Sequence, residues 1–356
     1  MMITLALAVV LQDPNAAIQA PDSLERKPLK EEKYFGKLCQ LTFGGQNAEG
    51  YWSKDGKQIC YQTMQPTWPD EQIIVMNSDG SNKRLVSTGK GRCTCSYFSP
   101  DGKWIYYSST HATQPGAQPP VDMSKGYVWM VNPHFALYRS AVPGTGQLGG
   151  DPNPQLMIKE DNFYVAETTI DPNGKYMVWT TDVEGDLEIY RTDLDGKNRK
   201  RLTNAVGYDG GPFVSWDGKK IVYRRDSGTD AKFIEDYQTL LKEHLVRPSK
   251  LEIWIMNADG SGKKQITNLG CASFAPFLSP DGKFILFSSN YGDPKGREFN
   301  IFKIGVNGKG LEQITHTPGF DGFPMFSKDG KKLLFASNRF GVGRDTNLFV
   351  VDWKKK

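Results

Sequence analysis

The stretch Phe277-Leu-Ser-Pro-Asp-Gly-Lys283, followed by Phe284-Ile-Leu-Phe-Ser-Ser289, decides the fold. An apolar strand end runs into a tight turn, whose glycine supplies the positive φ the turn needs. A second strand of aromatic and β-branched residues leaves it. The same unit returns at Tyr51–Lys57 (YWSKDGK), Tyr97–Lys103 (YFSPDGK), Thr169–Lys175 (TIDPNGK), Val214–Lys219 (VSWDGK) and Met325–Lys331 (MFSKDGK). A second signal trails it at Ile74–Gly80 (IVMNSDG), Ile189–Gly196 (IYRTDLDG), Ile253–Gly260 (IWIMNADG) and Ile301–Gly308 (IFKIGVNG). Each is a third strand ending in another Asp-Gly or Asn-Gly turn. A fourth strand follows, as in Lys200–Thr203 (KRLT), Lys264–Thr267 (KQIT) and Glu312–Thr315 (EQIT).

One unit is therefore four antiparallel strands joined by hairpins. Asp55, Asp101, Asn173, Asp217, Asp281 and Asp329 mark six units, at gaps of 46, 72, 44, 64 and 48 residues. The short gaps fit one four-stranded propeller blade, and the long ones carry an insertion too small for another. The expectation is an all-β chain forming a single closed β-propeller of six four-stranded blades. A degenerate seventh blade between residues 108 and 160 is the alternative count. Cys39–Thr42 (CQLT) is a fourth-strand signal with no blade before it, and Leu348–Asp352 (LFVVD) a third-strand signal with no fourth strand after it. The N-terminal strand is thus expected to close the last blade and remove an exposed edge.

Composition agrees. With 37 Gly and 21 Pro in 356 residues the chain is turn-rich, and 38% apolar residues suffice for a core. A net charge of +4, with Lys197, Arg199, Lys200 and Arg201 clustered beside a turn, is too weak for a nucleic-acid partner. The apolar run Ile3 to Leu11 is too short to span a bilayer. It resembles the core of a secretory signal cleaved near Ala20, although no Lys or Arg precedes it. That divides the chain into a signal at 1–20, an extension at 21–37 and a propeller at 38–356, and predicts an exported protein without membrane insertion.

The Ser-Pro-Asp-Gly-Lys turns and the Asp-x-Asp-Gly turns followed by Arg-Leu-Thr resemble the WD40-like repeats of the TolB-like propellers, over about residues 38 to 353. That family includes the periplasmic TolB component, propeller domains joined to peptidases, and propeller subunits of larger enzymes such as the β subunit of hydrazine synthase. The resemblance implies fold strongly and function weakly.

Hairpin connectivity puts the first-to-second and third-to-fourth turns on one face, and the second-to-third loops on the other. Insertions are expected at 110–125 and 228–250 on the second face, and at 132–153 on the first. Phe233, Ile234, Tyr237, Leu241 and His244 fall at helical spacing and read as a helix on the rim, either packed on its own blade or offered to a partner. Alignment on the turns makes Asn47, Cys93, Val165, Asp209, Ser273 and Asp321 equivalent, and two residues on, Glu49, Cys95, Glu167, Gly211, Ala275 and Phe323. Asn47, Glu49, Glu167, Asp209 and Asp321 are then expected near one channel mouth, where they suit a basic peptide or a structural cation, or simply line a wet channel. Cys93 and Cys95 share a face and read as small buried residues rather than a metal pair.

The chain has four histidines, none paired at metal-ligand spacing, and no nucleophile elbow, phosphate loop or His-Glu-x-x-His motif. No cofactor is evident. The leading expectation is a non-catalytic scaffold that binds other protein subunits in an extracytoplasmic complex. A free-standing peptide binder is the alternative, and a glycosidase or lyase using channel carboxylates is a third.

Overall fold

A computed structural model describes residues 22–354 apart from 148 and 227. The apolar run Ile3–Leu11 and the cleavage point at Ala20 lie outside the described residues. Six four-stranded antiparallel sheets form the ring. Their inner strands are Gln46–Trp52, Cys93–Phe98, Ala166–Ile170, Asp209–Val214, Ser273–Leu278 and Asp321–Phe326, which define blades one to six. Phe35–Gln40 pairs with Asn347–Trp353 and completes blade six, and Leu24–Arg26 adds a fifth strand outside it.

The repeated sequence is turn and ladder chemistry. In five blades the serine before the turn donates to the turn aspartate, as in Ser53 to Asp55 at 2.7 Å and Ser279 to Asp281 at 2.7 Å. The same serine oxygen accepts from the N–H that opens the next strand, Gln58 at 2.9 Å and Phe284 at 3.1 Å. Blade three has Asp171 in the serine's place, and its carboxylate accepts from the Asn173 N–H at 3.1 Å. The terminal threonine of Arg-Leu-Thr also has a duty. Thr203, Thr267 and Thr315 each accept from the third-strand N–H of Ile189, Ile253 and Ile301 at 2.8 Å. Thr42, just past the closing strand, does the same for Leu348 at 2.8 Å. The outer strand is thereby fixed where backbone pairing is short.

The second strands are buried almost throughout, as in Met177–Thr181 and Phe284–Ser289. Trp179, Phe287 and Phe335 on them, and Trp52 at the end of an inner strand, are among the largest enclosed side chains. The closure carries a buried ionic latch. Arg339 donates to Glu32 at 2.7 Å and to Asp321 at 3.0 Å, and all three side chains are at most 3% exposed.

Two insertions differ from expectation. The third strand of blade two is Ala136–Ala141, so residues 110–135 form one second-face insertion and the first-face turn spans 142–154. His134 to Tyr138 runs into that strand instead of the turn, because the consecutive apolar residues Phe135 to Tyr138 are all buried, as a strand covered on both faces requires. The helix α1 spans Ala231–Lys242, capped by Asp230, whose carboxylate accepts from the Phe233 N–H at 2.9 Å.

Candidate functional site

Each inner strand breaks register at the same place, between residues equivalent to Ala48 and Tyr51. The residue in the break has a left-handed backbone in all six blades: Glu49, Cys95, Glu167, Gly211, Ala275 and Phe323, with φ of 49°, 51°, 61°, 56°, 49° and 53°. Such a bulge turns the side chain that follows strand alternation out of its row. All six line one central cavity of about 530 Å³. Residues two earlier point elsewhere, although simple alternation would place both rows together.

Asn47, Asp209 and Asp321 are therefore not at the mouth. All three are at most 2% exposed. Asn47 donates to the Thr346 carbonyl at 3.0 Å, and Asp321 belongs to the latch. Asp209 lies 3.6 Å from Arg225, and burial holds its carboxyl well above the usual range. Of the five expected residues, the fold brings Glu49 and Glu167 to the cavity. Cys93 is fully buried and Cys95 faces the cavity, so the bulge separates this pair too. Among the described residues no group of three His, Cys, Asp or Glu side chains is arranged to hold a metal ion.

Two residues past each bulge comes a second ring, which includes Tyr51, Tyr97, Phe213 and Phe277. Tyr51 of blade one meets Phe213 of blade four at 5.6 Å between ring centroids. Those blades stand opposite each other in a ring of six, so this contact crosses the axis. Tyr97 and Phe277 add contacts to Phe213 at 5.6 and 4.9 Å. The cavity thus has an aromatic floor. Below it Lys54 of blade one donates to the Pro172 carbonyl of blade three at 2.6 Å.

The other end is roofed. Trp129–Met130, from the blade-two insertion, pairs with Leu245–Val246 from the blade-four insertion. Tyr127, Trp129, Met130 and Val246 line the cavity. Trp129 meets Phe274 of blade five edge-on at 5.5 Å. Helix α1 lies on this roof. Tyr237 and Leu241 pack with Val131, Leu187, Tyr208 and Val246, and Leu240 packs with Val128 and Leu245. Phe233 and Ile234 are half-buried, and His244 is exposed just past the helix with φ of 57°. The apolar stripe of α1 is spent on the protein's own roof rather than standing free for a partner.

The wall has an uneven charge pattern. Glu167 accepts from Gly211 N–H at 2.7 Å, from the Tyr208 hydroxyl at 2.5 Å, and from Arg224. Burial alone would raise its carboxyl, but the Arg224 cation and these donors hold it below the usual range. Arg224 stacks over Tyr208 at 4.5 Å and reaches Trp129 at 5.4 Å. Glu71 is paired with Arg92 at 2.6 Å. Glu49 has no cationic partner among the described residues; it accepts from the Tyr51 hydroxyl at 3.2 Å. Burial pushes its carboxyl up to about 7, and the charges of Glu167 and Glu71 push the same way.

Arg224, Tyr208, Tyr51 and Trp129 were not foreseen as site residues. One signal for the bulge was present: Pro212, Pro276 and Pro324 follow the bulge residue in blades four, five and six. A proline inside an inner strand marks a place where the ladder is interrupted.

No family model matches the chain. It is 23% identical to the uncharacterised protein Atu1656 of Agrobacterium fabrum, over 66% of this chain and 70% of that one. Among solved structures it resembles a TolB chain of Agrobacterium tumefaciens (TM-score 0.56, 20% identity, covering 88% of this chain and 92% of that one). It also resembles TolB of Acinetobacter baumannii (TM-score 0.58, 18% identity, covering 85% of this chain and 65% of that one). Hydrazine synthase of Kuenenia stuttgartiensis shares the fold at TM-score 0.51 and 14% identity, over 76% of this chain and 39% of that one. At these identities the likeness establishes a TolB-like propeller fold and nothing about ligands.

Proposed function

We propose that this chain is a binding propeller that takes a short segment of a partner protein into its roofed channel, in an extracytoplasmic compartment, without catalysing a reaction. The observation that carries this reading is the blind cavity itself. A floor of Tyr51 and Phe213, backed by Phe277, and a partial roof built on Trp129 bound about 530 Å³ of mixed aromatic and polar wall. That volume is in the range of sites that hold a few side chains or a small ligand. The resemblance to TolB chains supports it, and the apolar run Ile3–Leu11 supports export. The docking surface is the channel mouth and not the stripe of α1, because that stripe is already covered.

A photo-crosslinking amino acid in place of Tyr127, which is 59% exposed at the roof, tests this in the native source. The expected result is one protein crosslinked at stoichiometric yield, with the crosslink mapping to a single segment of it. Crosslinks only to small molecules, or none above those from an outer-strand control such as Leu156, would remove the reading.

A further inference from the structure

We infer that the group the cavity receives is an organic cation, the ammonium of a lysine or the guanidinium of an arginine, with Glu49 as its counter-charge. This rests on the binding reading above and names its chemistry. Three independent features of the wall agree.

The first is the charge balance. Three carboxylates face the cavity, Glu49, Glu71 and Glu167. Arg92 answers Glu71 and Arg224 answers Glu167, which leaves Glu49 over. Glu49 is half-buried inside the cavity, and a carboxylate so enclosed without a cation is unfavourable unless it is protonated or a ligand supplies the charge.

The second is the kind of surface around it. Tyr51, Trp129, Tyr164, Phe274 and Phe323 present rings to the cavity, and a cation held over such faces is attracted by their negative π-clouds. The protein already uses this contact in the same wall, where Arg224 lies over Tyr208 and Trp129. An anionic ligand would meet Glu49 and these ring faces unfavourably.

The third is an unanswered acceptor. Thr168 lines the cavity, is 2% exposed, and its hydroxyl has no partner among the described residues. An ammonium or guanidinium carries several N–H donors and can serve a second acceptor besides Glu49.

Binding a cation draws the proton off Glu49. Affinity therefore rises with pH through neutrality, as Glu49 becomes the free carboxylate. The other ionisable groups facing Glu49 are Glu167, Glu71, Cys95 and Tyr51. Glu167 is held ionised by Arg224, and burial holds the Cys95 thiol and the Tyr51 hydroxyl well above their ordinary values. Burial also raises Glu71, against the opposing pull of Arg92.

The test uses two pairs of capped tripeptides with the full chain, read by calorimetry. One pair is acetyl-Ala-Lys-Ala-amide and its Nε-acetyl-lysine counterpart. The other has arginine against citrulline. At least one cationic peptide is expected to bind about tenfold tighter than its neutral twin. The gap is expected to close in Glu49→Gln and to widen from pH 6 to pH 8. Equal affinity within both pairs, or no binding by either cationic peptide, overturns the inference. A protein crosslink at residue 127 would in that case still support the binding reading. If Glu49→Gln does not fold, the pH dependence of the wild-type chain decides alone: a flat profile rejects Glu49 as the counter-charge.

Discussion

Glu167 of blade three and Arg224 of blade four pair across the blade boundary at the cavity wall, each with a side chain only 9% exposed. The pair joins the frame of the ring to the wall of the site, because the same carboxylate also holds the bulge at Gly211. Removing one partner leaves a charge enclosed without an answer. Arg224→Met is expected to cost about 3–5 kcal/mol in urea unfolding. The double variant with Glu167→Gln is expected to recover part of that loss, which a double-mutant cycle measures. Simple additivity would mean the two side chains are not coupled.

Gly211 sits beneath that pair. A Cβ there would lie 2.0 Å from the Arg224 guanidinium, at φ +56°. Ala275 occupies the equivalent bulge at φ 49° and Phe323 at 53°, so the backbone alone does not demand glycine. The guanidinium does. Gly211→Ala is expected to destabilise by roughly 2–4 kcal/mol by displacing Arg224 from Glu167. The same change in an Arg224→Met background is expected to cost under about 1 kcal/mol. Equal costs in both backgrounds would assign the effect to backbone strain.

The latch at the closure makes a separate prediction. Arg339→Met removes the cation that Glu32 and Asp321 share and leaves both carboxylates buried. A loss of about 3–5 kcal/mol is expected. Limited proteolysis should then cut first near residues 27–33, because Glu32 is what ties this segment to blade six.

Stability also depends on pH through Asp226, which accepts from the Tyr208 N–H at 3.1 Å. Burial pushes its carboxyl up to about 7 against the lowering pull of that hydrogen bond and Arg224, with Asp186 adding to the rise. The folded value lies above the unfolded value near 4, so the folded state holds a proton that the unfolded chain has lost. The contribution is complete below pH ~4 and disappears as pH rises through about 7. Asp226→Asn is therefore expected to flatten the decline of Tm over that window relative to wild type. Parallel profiles for the two proteins would show that Asp226 titrates normally.

The ring was legible in the sequence because its determinants are local. Ser53 with Asp55, and Thr203 with the Ile189 N–H, are contacts made within one hairpin or between adjacent strands, and they impose residue types at fixed spacing. Glu49 and Glu167 were legible as cavity residues for the same reason, once the turns were aligned. Asp209 and Asp321 were misplaced because alternation assumes an unbroken ladder, and the bulge between them and the turn rotates one row away from the other. The roof was not legible at all. Trp129 pairs with Val246 across more than a hundred residues, through two strands of two residues each, and a strand that short leaves no periodic trace.

The closing strand has a consequence for the order of assembly. Phe35–Gln40 precedes every blade in the chain, yet its partner Asn347–Trp353 is translated only after five whole blades. Five blades can be complete while the sixth still lacks its outer strand. Over that interval Asn347–Trp353 is either unmade or an open edge, and Phe35–Gln40 has only the short strand Leu24–Arg26 beside it. Both are the kind of surface on which growing chains associate with one another. Until those two strands pair, each keeps an edge that a neighbouring chain can occupy.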